Sequence, residues 1–250
     1  MPSLPPTPLR GKRALVTGGA VRVGRAIALA LAREGCDVAV HYRGSAQAAQ
    51  ETACEIRALG VRAALVQADQ ARPGEPERLV AEAAAALGGL DLVALSAASF
   101  EKVPAADLDR ARFEAMIATN LTGPFLIARA AYPHLKASGG AIVSIVDLCG
   151  TSQVWKGYAH YAAAKAGLAT LTRLLALEWA PEVRVNAIAP GTVLAPAETT
   201  TEEHERLVRR IPLGREGDPG DVAAAAVFLF SQPFITGQVL AVDGGRSVNP

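Results

Sequence analysis

Short apolar segments recur along the chain and alternate with longer segments of amphipathic or alanine-rich character. Segments of about five residues that are apolar throughout are typical of strands buried on both faces of a parallel sheet. The predicted strands are 13–17, 37–42, 62–67, 91–95, 141–146, 183–189 and 238–242. The predicted helices are 22–34, 45–59, 77–87, 109–136 (bent or interrupted at Gly123-Pro124), 161–180 and 221–230. The pattern therefore predicts an α/β fold with one doubly wound parallel sheet and helices on both of its faces.

Two stretches lie outside this alternation. Residues 1–10 are proline-rich and predict a flexible N-terminal tail, which leaves residues 11–250 as one domain. Residues 192–210 are polar, rich in Thr and Glu, and directly follow a predicted strand. Because ligands bind at the carboxyl ends of strands in such sheets, this segment predicts a lid, with a plain surface excursion as the alternative.

The overall composition limits the classes of partner. The chain has 25 basic and 24 acidic residues and a net charge of +1, which gives no reason to expect nucleic acid or an anionic membrane as a partner. No apolar run approaches the roughly 18 residues that span a bilayer, and the start does not resemble a signal peptide. Cys36, Cys54 and Cys149 lack a CxxC spacing, and the four histidines are scattered. These features favour reduced thiols in a cytoplasmic protein without a metal site.

A glycine-rich segment, TGGAVRVG at residues 17–24, connects the first predicted strand to the first predicted helix. Backbone N–H groups in such a turn, at a helix N-terminus, bind pyrophosphate. Glycines between a strand and a helix can also serve packing alone, but the position in the first βα unit favours a dinucleotide site. Gly18, Arg22 and Val23 are the candidate cofactor contacts in this turn.

The end of the second predicted strand indicates which dinucleotide binds. An NAD-binding domain usually carries Asp or Glu there to bind the ribose hydroxyls. This chain has no acid at that place, and the candidate cofactor residues are His41, Tyr42, Arg43 and Ser45. An arginine suits a 2′-phosphate, so Arg43 predicts NADPH as the cofactor, although it could also be a solvated surface residue. After the third strand, Asp69 and Gln70 are candidates for the adenine end, and Asp69 could alternatively be a helix N-cap.

Tyr161 and Lys165 lie four residues apart in a predicted helix, so the phenol and the ammonium share one face. A phenol has a pKa of about 10 and is a poor acid–base group at neutrality, but a nearby buried cation lowers that pKa. A lone YxxxK pattern is also common on plain helix surfaces. Its place downstream of a nucleotide turn predicts that Tyr161 is catalytic.

Taken together, these motifs resemble the short-chain dehydrogenase/reductase family. The matching pieces are residues 17–24, Asp69, Asn120 within TNLTG, Tyr161 with Lys165, RVN at 184–186, PGT at 190–192, and residues 235–245. The resemblance implies a Rossmann-type fold and a homotetramer. It implies that Tyr161 donates a proton, that Lys165 binds the nicotinamide ribose and lowers the tyrosine pKa, and that Asn120 holds a water linked to the lysine. Asn120 could instead satisfy helix backbone near Pro124. The further cofactor contacts that it implies are Ser96, Ala97, Ala98, Pro190, Gly191, Thr192 and Val193.

Three departures from the family pattern point to a particular substrate. Arg22 replaces a glycine, Asp147 replaces a serine that bonds the substrate carbonyl, and a changed segment after the fourth strand ends in Phe100. An ionised Asp147 cannot donate to a ketone oxygen, whereas it suits a ligand with N–H donors or an imine nitrogen that takes up a proton, and a pterin has both. The combination resembles the pteridine reductase branch. That resemblance implies substrate contacts from Arg22, Phe100, Asp147 and Tyr161, and a bond from Tyr158 to Asp147.

The predicted function is the NADPH-dependent reduction of a small molecule, with a dihydropteridine of the dihydropterin or dihydrofolate class as the leading substrate. The first alternative is a carbonyl reductase such as a 3-oxoacyl-carrier-protein reductase, which a basic patch near the pocket would favour. The second alternative is a non-catalytic dinucleotide-binding sensor, which a disrupted Tyr161–Lys165 pair would favour.

Overall fold

The computed structural model of the chain describes residues 8–193 and 200–249. Most of the predicted tail and residues 194–199 of the predicted lid lie outside the described residues. The strands are β1 Arg13–Thr17, β2 Asp37–Tyr42, β3 Ala63–Gln67, β4 Leu92–Leu95, β5 Ala141–Ile145, β6 Arg184–Pro190 and β7 Val239–Val242. The helices are α1 Arg22–Arg33, α2 Ala46–Ala58, α3 Glu75–Leu87, α4 Arg110–Ile117, α5 Gly123–Ser138, α6 Ala159–Trp179, α7 Thr201–Arg209 and α8 Pro219–Ser231.

The strands form one parallel sheet in the order β3-β2-β1-β4-β5-β6-β7, which confirms the predicted doubly wound architecture. The strand order reverses between β1 and β4, which are hydrogen-bonded neighbours. A crevice opens at the carboxyl ends of the strands where such a sheet reverses its order. The topology therefore brings the glycine-rich turn after β1 next to the segment after β4.

Successive side chains of each central strand enter two separate apolar cores. In β1, Val16 packs into the core that contains α1 and α8, whereas Leu15 packs into the core that contains α3 and α5. Both side chains are fully buried, and burying a side chain of this kind stabilises the fold by about 1.5–3 kcal/mol. Burial on both faces is the reason that these strands are apolar throughout instead of alternating.

The long helix predicted over 109–136 is divided into α4 and α5 by a π-helical turn, Ala118–Thr122. Pro124 has no N–H to donate, so the regular i to i−4 pattern cannot pass through it unchanged. The predicted interruption at Gly123-Pro124 is therefore present. π-Helical turns of this kind often lie at functional sites, and this one carries the fully buried Asn120.

The polar segment predicted as a lid contains α7, a helix that the hydrophobic pattern did not predict. Arg206 and Leu207 of this helix, and Arg210 after it, line the cleft described below. A helix that covers a cleft contributes little to the core, so its sequence lacks the strong apolar stripe of a core helix. Closure of the segment over a ligand stays a prediction.

Candidate active site

A cleft of about 1550 Å³ lies at the carboxyl ends of the strands. Nearly all the residues predicted to bind cofactor or substrate line it, although they come from six different strand ends. These residues are Gly18, Arg22, Val23, His41, Tyr42, Arg43, Ser45, Asp69, Gln70, Ser96, Ala97, Ala98, Phe100, Asp147, Tyr161, Lys165, Pro190, Gly191, Thr192 and Val193. Asn120 is the predicted site residue that does not line it.

The glycine-rich turn leaves no room for side chains at two positions. Gly18 has a φ of +62°, and a Cβ atom there would lie 2.9 Å from the Cα atom of Ala97. A Cβ atom on Gly24 would lie 2.1 Å from the carbonyl oxygen of Gly18. The N-terminus of α1 and the turn are thus packed backbone to backbone at the edge of the cleft. This cradle fits the pyrophosphate of a dinucleotide.

Arg22 begins α1 with a φ of +52°, the one left-handed non-glycine residue within 8–193 and 200–249. This conformation costs a non-glycine residue roughly 1–2 kcal/mol. The local backbone geometry explains why a glycine is usual at this position in the family. The chain keeps an arginine there at a cost in stability, and its side chain lies in the cleft.

Two side chains support the turn from within the protein. The N–H of Gly18 donates to Nδ1 of His41 over 3.2 Å, and Nε2 of His41 bonds the carbonyl oxygen of Ala68 over 3.0 Å. This arrangement requires the neutral ring with its proton on Nε2, and burial lowers the pKa of His41. Nε2 of Gln70 donates to the carbonyl oxygens of Thr119 and Ala97 over 2.7 and 3.2 Å. Both side chains thus bond the walls of the cleft that they line, and their contact with a cofactor stays a prediction.

Thr17, at the end of β1, fixes the two halves of the crevice together. Its Oγ1 accepts hydrogen bonds from the backbone N–H groups of Ser96 and Ala97 over 2.9 and 3.0 Å. The side chain is almost fully buried, so these bonds hold the segment after β4 in a fixed position beside the turn. In the sequence, Thr17 is only the first residue of the glycine-rich segment at 17–24. The feature of the sequence that could have identified this role is that a threonine ends a strand that is otherwise apolar.

The rim of the cleft beside β2 carries the exposed Arg43. Nε2 of Gln67 donates to the Arg43 carbonyl oxygen over 2.9 Å and so fixes the backbone there. On the adjacent strand end, Oδ1 of Asp69 accepts from the N–H of Ala71 over 3.1 Å. The residue that caps α3 is Gly74, so the alternative interpretation of Asp69 as a helix N-cap is wrong.

Asp147 and Tyr161 form a hydrogen-bonded pair in the cleft. The phenol of Tyr161 donates to Oδ2 of Asp147 over 2.8 Å, and the backbone N–H of Cys149 donates to Oδ1 over 2.7 Å. The ammonium of Lys165 donates to the carbonyl oxygen of Ile145 over 2.8 Å and lies 5.7 Å from the centre of the Tyr161 ring. The helical spacing thus brings Tyr161 and Lys165 together as predicted.

The electrostatics of this group differ from the prediction. Burial raises the pKa of Asp147, and burial together with the Asp147 carboxylate raises the pKa of Tyr161 well above its ordinary value. Burial lowers the pKa of Lys165 to about 8, while Asp147 acts in the opposite direction. The expected lowering of the tyrosine pKa by Lys165 is therefore not found, because a phenolate here would be buried beside a carboxylate. Tyr161 stays protonated at neutral pH, which suits a proton donor.

An aromatic group forms one wall of the cleft. The rings of Phe100 and Tyr158 stack with their centres 4.7 Å apart, and the rings of Phe100 and Tyr161 form a T-shaped pair with their centres 4.9 Å apart. Phe100 remains 49% exposed, so it is not part of the core. The predicted bond from Tyr158 to Asp147 is not found among the described residues, in which the carboxylate accepts from Cys149 and Tyr161.

Asn120 bonds the segment that carries Phe100. Its Oδ1 accepts from the N–H of Ser99 over 2.8 Å, and its Nδ2 donates to the Ser99 carbonyl oxygen over 2.7 Å. Neither bond goes to helix backbone, and a water-mediated link from Asn120 to Lys165 stays a prediction. Because Asn120 is fully buried, its two bonds hold Ser99, and with it the adjoining aromatic wall, against the π-helical turn.

The described part of the chain limits two other kinds of site. No helix within residues 8–193 and 200–249 is long and apolar enough to cross a membrane. In those same residues, no three His, Cys, Asp or Glu side chains come together in a way that could hold a metal ion.

Comparison with known proteins agrees with this geometry. The sequence model of a family described as Enoyl-(Acyl carrier protein) reductase matches residues 19–247. An uncharacterised oxidoreductase of Mycobacterium tuberculosis is 38% identical, covering 95% of this chain and 92% of its own length. The 3-oxoacyl-[acyl-carrier-protein] reductase of Staphylococcus epidermidis is 34% identical over 94% of this chain and 98% of its own. A crystal structure of a short chain dehydrogenase from Burkholderia cenocepacia in complex with NADP is 36% identical, with a TM-score of 0.90 over 96% of this chain and 99% of that one. The chain is thus an oxidoreductase that belongs to the short-chain dehydrogenase/reductase family.

Proposed function

We propose that this protein reduces a dihydropteridine of the dihydropterin or dihydrofolate class with NADPH. The observation that carries the proposal is the hydrogen-bonded pair of Asp147 and Tyr161 beside the open ring of Phe100. A flat heteroaromatic ring fits against an exposed aromatic wall, and ring-centre distances of 4.5–7 Å are favourable for such contacts. A carboxyl group at the same place accepts N–H donors, which an aminopyrimidine edge supplies.

The cofactor assignment rests on the rim and the turn of the cleft. Arg43 stands at the strand end where an NAD-binding site usually carries an acid, and a guanidinium matches the charge and geometry of a 2′-phosphate. The crowded turn at Gly18 and Gly24 fits the pyrophosphate. The NADP complex of the Burkholderia cenocepacia relative supports the same choice.

The side chains then divide the reaction between them. NADPH, which the turn at Gly18 and the rim at Arg43 would hold, would supply the hydride that the carbon of the reducible ring C=N bond takes up. The Tyr161 phenol donates a proton to the ring nitrogen, so that one hydride and one proton are added across the bond. The Asp147 carboxylate accepts a hydrogen bond from the phenol over 2.8 Å and so positions it, and a proton from water restores the phenol after each turnover. Lys165, held by the Ile145 carbonyl, places its ammonium 5.7 Å from the centre of the phenol ring, where a cation stabilises the transient phenolate.

A second candidate is a carbonyl reductase of the 3-oxoacyl-carrier-protein type. The 34% identical reductase of Staphylococcus epidermidis supports it, and so do Lys102, Lys156 and Arg206, which supply cations on the substrate side of the cleft. The position of Asp147 argues against it, because an ionised carboxylate beside Tyr161 opposes negative charge on a ketone oxygen. The intact Tyr161–Lys165 pair argues against a sensor without catalysis.

The test is NADPH oxidation by the purified protein with dihydrobiopterin, dihydrofolate and acetoacetyl-coenzyme A in parallel. We expect rapid oxidation with at least one pteridine and slow oxidation with the thioester. The Tyr161→Phe variant should lose nearly all turnover while it still binds NADPH, which shows that the reaction uses this site. Turnover with the thioester alone would refute the pteridine assignment and support the second candidate.

A further inference from the structure

One cation in the cleft has no part in the reaction or in the proposed cofactor site. Arg246 is only 5% exposed, and its Nη1 donates to Oγ1 of Thr192. Its Cζ atom lies 5.3 Å from the centre of the Trp155 ring. Its Nε is buried, and within residues 8–193 and 200–249 it makes no hydrogen bond. A buried donor without a partner costs about 1–3 kcal/mol, so a group that bonds it on binding would recover that loss.

The surroundings of Arg246 fix its position from three parts of the chain. The Asp243 carboxylate accepts from the N–H groups of Gly245 and Ser247 over 2.9 and 2.6 Å. Nε2 of Gln153, from the segment after β5, donates to the Arg246 carbonyl oxygen over 2.9 Å. Together with the Thr192 contact after β6, these bonds make Arg246 a positioned side chain and not a free surface arginine.

A second guanidinium lies nearby. Arg210 follows α7, is exposed and lines the same cleft. Nδ2 of Asn249 donates to its carbonyl oxygen over 3.2 Å, which ties this segment to the turn that carries Arg246. Burial lowers the pKa of Arg246, the Arg210 cation lowers it further, and Asp147 and Asp243 act in the opposite direction. Neither arginine has an ion pair in the described part of the chain.

We propose that Arg246 and Arg210 together bind a carboxylate of the substrate, and that the preferred substrate is a dihydropteridine with a carboxylate-bearing substituent, of the dihydrofolate type. Two neighbouring cations with unused donors fit an anion, and charge-assisted bonds from arginine to a carboxylate are among the strongest in proteins. Arg246 and Arg210 line the same cleft as Asp147 and Tyr161, so this subsite and the reacting groups share one cleft. An unconjugated dihydropterin lacks a carboxylate and therefore has no group that would bind these two arginines. The inference rests on the proposed pteridine reductase function.

The experiment compares kcat and KM for dihydrofolate and dihydrobiopterin in the unmodified protein and in Arg246→Gln and Arg210→Gln. We expect kcat/KM for dihydrofolate to fall about tenfold or more in each variant, mainly through KM, and that for dihydrobiopterin to change less than about threefold. Arg209→Gln is the matched control, because Arg209 is exposed, pairs with Glu205 at 3.7 Å and lies outside the cleft lining. p-Aminobenzoylglutamate should compete with dihydrofolate in the unmodified protein and lose this effect in Arg210→Gln.

The outcomes separate the subsite from the function. Equal losses for both pteridines, or no loss for either, would overturn the carboxylate subsite and leave the reductase function intact. No turnover of either pteridine by the unmodified protein would refute the proposed function itself. A loss confined to acetoacetyl-coenzyme A would assign the two cations to a phosphate and would also overturn the proposal. If Arg246→Gln does not fold, the exposed Arg210 still carries the test.

Discussion

At the scale of single residues, Asp147 has the largest consequence for the chemistry. One carboxylate oxygen accepts a hydrogen bond from the Tyr161 phenol, and the other accepts one from the backbone N–H of Cys149. Both oxygens therefore have a hydrogen-bond partner within the protein. A serine at the same place would offer a hydroxyl donor. One residue therefore changes the site from one that donates to the substrate into one that accepts from it.

We accordingly expect Asp147→Ser to lower kcat/KM for a dihydropteridine by about tenfold to a hundredfold, because a charged hydrogen-bond partner is lost. The same change should raise the low rate with acetoacetyl-coenzyme A, since a donor now faces the carbonyl oxygen. Steady-state kinetics with both substrates measure the two effects. Unchanged kinetics with both would mean that Asp147 takes no part in substrate recognition.

Under the proposed function, Arg43 sets the preference for NADPH over NADH. The change Arg43→Glu should raise the Kd for NADPH by about tenfold or more, because a carboxylate repels the 2′-phosphate, while the Kd for NADH changes little. Quenching of protein fluorescence on titration with each cofactor measures both constants. Arg33→Glu is the charge-matched control, since Arg33 is an exposed residue at the far end of α1 and outside the cleft lining. Equal weakening of both cofactors by Arg43→Glu would contradict the assignment.

At the scale of elements, the turn from β1 to α1 combines a tight backbone with an unusual side chain. Its left-handed Arg22 can be tested with two substitutions. Arg22→Gly removes the side chain and the backbone strain, whereas Arg22→Ala removes the side chain alone. We expect the glycine variant to exceed the alanine variant in free energy of unfolding by about 1 kcal/mol, measured in urea without cofactor. Greater stability of the alanine variant would mean that the turn holds no strain at this position.

The same turn depends on the neutral ring of His41, which joins it to the ends of β2 and β3. Because the folded-state pKa lies below the ordinary value of 6.5, the unfolded chain takes up a proton first as the pH falls. The contribution of His41 to the free energy of unfolding is therefore fully present above about pH 6.5 and should decline progressively as the pH falls below that value. Urea unfolding between about pH 5 and pH 8, a range that includes the ordinary pKa of histidine, should show a smaller decline in His41→Gln. An unchanged decline would assign the effect to other groups.

At the scale of the whole molecule, several large apolar side chains of residues 8–193 and 200–249 remain outside the cores. Leu177, on α6, is 79% exposed with Leu174 one turn before it, and Phe234, between α8 and β7, is 97% exposed. Exposed apolar groups of this size mark interaction surfaces. The homotetramer that the family resemblance implies would need surfaces of this kind.

We therefore expect a homotetramer that dissociates when a charge enters the α6 surface. Leu177→Asp should shift the mass measured by light scattering after gel filtration from tetramer toward dimer or monomer, because a carboxylate cannot be buried unpaired. Leu59→Asp, at the end of α2, is the control with a similar change on another exposed leucine. A monomeric unmodified protein would refute the expectation.

The elements of the sheet were predictable to within one residue at each strand end, whereas α7 was not predictable. Strands such as β1 are buried on both faces, so their sequences are apolar throughout and differ clearly from those of the adjoining helices and loops. α7 lies against the cleft and outside the core, and most of its side chains are polar. Its polar side chains are compatible with solvent in many backbone conformations, so the polar pattern does not by itself predict a helix.

The sequence alone determined the sheet, the glycine turn and the pairing of Tyr161 with Lys165, because strand burial, backbone crowding and helical spacing are local in origin. Only the tertiary structure decided the partners of side chains from distant segments. In the folded protein, hydrogen bonds join Asn120 to Ser99, His41 to Gly18 and Asp147 to Tyr161, and Arg246 is buried beside the cleft. The physical reason is that burial and hydrogen-bond geometry depend on which strand ends meet, and those distances are set by the folded sheet and not by spacing along the chain.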